Sequence, residues 1–176
     1  MKDVKGDFML PIPTHLNGVL IPVGEDNSEN KVTGIIRCSC GNQKFRVDNN
    51  IDEPTEDYSQ VIKCFCTACG KGRLLFDDKK HGWDGFVCHG EWMGESAPDE
   101  ALSPHQCREC KEEIHEITVV ISSQGKQDFI EESGIADGEA EFKEEDWVEA
   151  FDWIDISLKC SNCGCEEEQW LDLETM

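Results

Sequence analysis

The sequence predicts a β-rich, small α+β fold built from short antiparallel strands, with one short acidic helix in its second half. Three observations carry this expectation. Segments such as Lys44-Phe-Arg-Val47, Arg73-Leu-Leu-Phe76 and Glu116-Ile-Thr-Val-Val-Ile-Ser122 are short, extended in pattern and, in the last case, rich in β-branched residues. Cysteines punctuate these segments in four clusters. Helical spacing is read in Glu144–Ile154, where Trp147, Phe151 and Ile154 fall on one side and carboxylates elsewhere around the turn.

Along the chain, residues 1–34 read as an N-terminal extended segment. Phe8-Met-Leu-Pro-Ile-Pro13 is apolar but broken by proline, which suits an edge strand or a lead-in. Gly18–Gly24 is a second short strand, and Glu25–Asn30, polar and without apolar period, is a loop. Residues 35–96 form a first unit. In it Cys38-Ser-Cys40-Gly41 precedes one strand, and Val61-Ile-Lys-Cys-Phe-Cys-Thr-Ala-Cys-Gly70 precedes another. His81–Phe86 is a turn anchored by one indole.

Residues 97–176 repeat this layout. Cys107-Arg-Glu-Cys110 leads into the strand ending at Ser122, and Ile154–Gly164 alternates apolar and polar residues into Cys160-Ser-Asn-Cys163-Gly164. Trp170-Leu-Asp-Leu173 is a closing strand. The likeness of Ile62-Lys-Cys64 through Cys69-Gly70 to Leu158-Lys-Cys160 through Cys163-Gly164 points to an internal duplication. The second unit differs by an acidic insertion, residues 124–152, which contains the expected helix.

Eleven cysteines, an odd number, argue against a closed disulfide set. With no export signal read at the start, a reducing, cytoplasmic setting is expected, where thiols ligate metal more often than they pair. Nor does any apolar run approach the ~20 residues of a membrane helix. A Cys-x-x-Cys turn offers two thiolates from one tight loop, and a glycine directly after it frees the backbone to aim N–H groups at sulfur. Cys66/Cys69 and Cys160/Cys163 meet both conditions, Cys107/Cys110 lacks the glycine, and Cys38/Cys40 is one residue short.

These clusters and their flanking strands resemble the zinc-ribbon group, in two tandem copies, over roughly residues 35–76 and 105–172. The resemblance implies two structural Zn²⁺ ions. Cys38, Cys40, Cys66 and Cys69 would hold one, and Cys107, Cys110, Cys160 and Cys163 the other. Cys64 stands as an alternative ligand for the first site. Otherwise Cys64, Cys88 and Cys165 read as small buried thiols, with a third site built from Cys88-His89 and His81 or His105 as the other possibility.

Composition bounds the function. The net charge is −22, from 16 Lys and Arg against 38 Asp and Glu, and each tetrathiolate zinc would add a further net −2. Direct nucleic-acid binding is disfavoured because it needs a cationic face, although Lys63, Lys71, Arg73, Lys79 and Lys80 could make a local one. No phosphate loop, nucleophile elbow or His-Glu-x-x-His helix is present. A thiol oxidoreductase would need a helix opening behind one Cys-x-x-Cys. The expectation is therefore a non-catalytic zinc-binding interaction protein whose acidic surface meets a basic protein, in the manner of an inhibitor or immunity protein. A transcription-linked, nucleic-acid-associated ribbon protein is the alternative, and the oxidoreductase comes third.

Overall fold

A computed structural model describes residues 8–138 and 141–176. Its strands are β1 (Leu20–Pro22), β2 (Lys31–Ile36), β3 (Phe45–Asn49), β4 (Tyr58–Ser59), β5 (Val61–Cys66), β6 (Gly72–Asp77), β7 (Glu95–Ser96), β8 (Ser103–Pro104), β9 (Ile114–Ser122), β10 (Trp153–Cys160) and β11 (Glu166–Glu174). All but β4 and β7, which pair with each other in parallel, belong to a single antiparallel sheet.

The centre of that sheet is β9. One of its edges pairs from His115 to Ser122 with β10, which in turn pairs with β11. The other edge is shared: Thr118–Ser122 pairs with β2, and Ile114 and His115 pair with β3. The sheet therefore divides where the chain leaves β2 for the first cysteine turn and re-enters at β3. From β3 it continues through β5 to β6. Strands from residues 31–77 and 114–174 are thus hydrogen-bonded into one sheet.

Alternation sets which face is buried. On β9, His115, Ile117, Val119 and Ile121 point inward, and on β10 so do Ile154, Ile156, Leu158 and Cys160. Ile117, Val119, Ile121, Ile154, Ile156 and Leu158 meet Val32, Ile36, Phe45, Val47, Ile62, Leu75 and Phe76 in one apolar cluster that draws on both halves of the chain.

Phe8–Pro13 is a lead-in rather than an edge strand, and the chain enters through a 3₁₀ turn at Thr14–Leu16. The acidic insertion differs from the sequence expectation. The expected helix is reduced to one 3₁₀ turn, Glu144–Val148, because Trp153 and Ile154 already pair with β9 and β11. Instead an α-helix, α1 (Lys126–Glu132), opens the acidic insertion. Phe129, Trp147, Val148 and Ala150 bury a second, smaller cluster against Trp83, Phe86 and Val87, which lie in a π-helical turn. The carboxylates of Asp128, Glu131, Glu132, Asp137, Glu144 and Glu145 remain outside. Among the described residues, no helix is long and apolar enough to cross a membrane.

Candidate metal centres

The four cysteine turns close into two quartets. Cys38 and Cys40, between β2 and β3, face Cys66, which ends β5, and Cys69 in the turn to β6; Cys107 and Cys110, ahead of β9, face Cys160, which ends β10, and Cys163 in the turn to β11. Within each quartet all sulfurs lie within 4.8 Å of one another. The closest approaches are Cys38–Cys69 at 3.5 Å and Cys40–Cys66 at 3.6 Å in the first, and Cys110–Cys160 at 3.5 Å and Cys107–Cys163 at 3.6 Å in the second. A tetrahedron of thiolates about 2.3 Å from a central ion has edges of roughly 3.8 Å, so each quartet has the dimensions of a metal cage. None of the eleven cysteines forms a disulfide.

One backbone pattern builds three of the turns. The N–H of Cys66 donates to the carbonyl of Lys71, and that of Gly70 returns to the carbonyl of Cys66. Cys160 with Cys165 and Gly164 repeats this, as does Cys107 with Glu112 and Lys111. The residue after the second cysteine takes a left-handed conformation each time, at φ of 73° for Gly70, 74° for Gly164 and 65° for Lys111. The turn at Cys38 is the same device shortened by one residue: its N–H donates to Asn42, and Gly41, at φ 91°, returns to its carbonyl. The missing residue of Cys-x-Cys is absorbed by a tighter loop, and both sulfurs still reach the cage.

Side-chain amides support the sulfurs from across each cage. Asn42 Nδ2 donates to Cys66 Sγ at 3.2 Å, and Asn162 Nδ2 to Cys110 Sγ at 3.6 Å. Burial raises the Cys66 thiol, but the Asn42 amide and the N–H groups of Cys69 and Ala68 outweigh it and bring it down to about 6. Cys110, facing the N–H of Glu112 and the Asn162 amide, also falls to about 6. Donors that favour thiolate favour metal binding.

The remaining candidates separate. Cys64 is fully buried on β5 between Val47 and Arg73, outside the first quartet. Cys88, His89, His81 and His105 do not assemble into a third site. His89 bonds Glu141, His81 stacks on His15 with ring centroids 3.8 Å apart, and His105 lies with Asp52 and Glu167. The sequence reading did not single out His115, Glu167 or Asp52 as site residues. His115 carried one usable signal: two-residue alternation puts it on the same face as Ile117, Val119 and Ile121, so it had to be a buried histidine.

The fold and the two quartets define a β-rich protein with two cysteine clusters that could hold metal ions. No family model, characterised protein or solved structure matches the chain.

Proposed function

We propose that this is a non-catalytic zinc protein in which two tetrathiolate Zn²⁺ ions brace the sheet and an acidic surface receives a basic partner protein. Cysteine at all four corners of each cage supports a structural role, because no position is left for a metal-bound water. The three-strand sets β3–β5–β6 and β9–β10–β11, each with its cage at one end, support the two-ribbon reading.

The partner reading rests on one observation. Asp155 on β10 lies directly opposite Asp172 on β11, where like charges are destabilising. Asp155 Oδ1 is buried without a hydrogen-bond partner, and burial together with Asp172 raises its carboxyl above the usual range. Beside them the half-exposed Trp153 donates from Nε1 to Asp172 Oδ1 at 2.5 Å and pairs across the strands with Glu174. An indole rimmed by three carboxylates suits a guanidinium or ammonium group. The basic patch is weaker support for nucleic acid, since Lys63 is bridged to Asp99 and Lys80 to Asp77.

Native mass spectrometry of the protein drawn gently from its own cells tests this. Two zinc ions and a basic protein that dissociates with salt are expected, with the partner lost from the Asp155→Asn/Asp172→Asn variant. A nucleic-acid adduct, or a partner held equally by the double variant, would overturn the reading.

A further inference from the structure

Beside the second cage, His105, His115 and Glu167 bring one ligand atom each within 4.8 Å of one another. His105 precedes the Cys107 turn, His115 opens β9, and Glu167 lies on β11. Both histidines are buried, with His105 at 6% and His115 at 0% exposure.

Their outer nitrogens are already occupied. Nδ1 of His105 bonds Asp52 Oδ2 at 2.8 Å, and Nδ1 of His115 bonds the Glu113 carbonyl at 3.2 Å. Asp52 is itself fixed by the Trp170 indole N–H at 3.1 Å and the Asn49 amide at 3.0 Å. A carboxylate on one imidazole and a backbone carbonyl on the other are the outer supports that orient metal-binding histidines. They leave each Nε2 as the free ligand atom. His105 Nε2 meets Glu167 Oε2 at 2.5 Å, whereas His115 Nε2 is buried with no partner at all.

Packing does not account for that histidine. In the other half the position matching His115 is Phe45: each is five residues after its Cys turn's second cysteine, and each lies opposite the first cysteine of the next turn, Cys160 and Cys66 respectively. An apolar ring fills the place there. Putting an imidazole here leaves a lone pair stranded inside the protein.

We propose that His105 Nε2, His115 Nε2 and a Glu167 oxygen bind a third divalent ion of the Zn²⁺ class, distinct from the two thiolate cages. Two imidazoles and a carboxylate are borderline-to-hard donors suited to Zn²⁺ or Co²⁺, and three protein ligands leave a position for water or an incoming donor. Binding displaces the proton shared between His105 and Glu167 and satisfies His115. Asp52, Glu167 and His105 also line an open cleft with Arg108 and Lys111, which gives the ion a route in.

The full chain, loaded with Co²⁺ and counted by native mass spectrometry, should hold three ions. Two should show thiolate charge-transfer absorption and one should show only ligand-field bands. His115→Phe, which copies the other half, and Glu167→Gln should each reduce the count to two with the thiolate bands unchanged. Asp52→Asn should weaken the third ion by roughly 10–100-fold. Should His115→Phe fail to fold, Glu167→Gln and Asp52→Asn decide the matter. A wild-type count of two, or a third ion that survives both Glu167→Gln and His115→Phe, would overturn the proposal.

Discussion

Phe45 and His115 face each other across β3 and β9, and each also lies opposite the first cysteine of the turn that completes its own cage. The two cysteine-bearing halves are thus joined at equivalent positions, and β9 serves both. Separated at residue 96, the first half would lose the partner of β2 and β3, and the second would expose one edge of its central strand. The metal-loaded chain is therefore expected to melt in a single transition, with the amides of β9 among the slowest to exchange. Residues 1–96 and 97–176 produced separately should remain unfolded even with zinc. Two resolved transitions, or a folded half, would contradict this.

Lys111 occupies in its turn the place that Gly70 and Gly164 hold in theirs, with the same left-handed backbone and the same hydrogen bond to the leading cysteine. A side chain there costs about 1–2 kcal/mol, partly offset by the greater freedom glycine has when unfolded. Lys111→Gly should stabilise the protein by about 0.5–1 kcal/mol. Gly164→Ala should cost about 1 kcal/mol, for conformational reasons alone, since an added Cβ would touch nothing within 4 Å. Denaturant midpoints at saturating metal measure both.

The difference between what could and could not be read from the chain follows from range. A cysteine turn is completed within six residues by its own backbone bonds, so Cys66–Lys71 and Cys160–Cys165 announce themselves, and even the shortened Cys38 turn keeps its glycine. Strand character in Glu116–Ser122 is equally local, being a run of β-branched residues. That β9 should lie between β10 and the β2/β3 pair depends on contacts some 70–90 residues apart, which no local pattern encodes. Helix α1 was invisible because only Phe129 is fully buried, too few positions to make a stripe. At Trp147 and Phe151 helical spacing was real but lost to strand pairing beginning at Trp153.

Cys64 is two residues from Cys66 and shares its face of β5, yet it lies outside the first quartet as a core thiol. Burial pushes it up to about 12, which leaves it protonated and unreactive at neutral pH. Cys64→Ala is expected to cost about 1–2 kcal/mol through the small cavity it opens and to leave metal stoichiometry unchanged. Alkylation of the folded protein should spare this residue. Loss of an ion from Cys64→Ala would instead make it a ligand of the first cage.

His81 and His15 form a buried, stacked pair of bases in which both rings are held below the usual histidine range. Their rings stack 1° from parallel, His15 bonds the Leu75 carbonyl through Nε2, and His81 Nδ1 accepts the Asp77 N–H. Burial, then repulsion from His15, pushes His81 down to about 3; burial also lowers His15. Between the unfolded value near 6.5 and these folded values, the unfolded chain takes up protons that the folded one refuses. Stability is therefore full above about pH 6.5 and declines as pH falls, at up to roughly 1.4 kcal/mol per pH unit for each ring. Thiolate protonation would release metal over part of the same range, so the test must be residue-specific. The His81 ring signals in an NMR titration are expected to stay at their neutral positions down to the pH at which the protein unfolds. A midpoint near 6.5 in the folded state would show that the stacked pair accepts a proton freely and would remove this source of acid sensitivity.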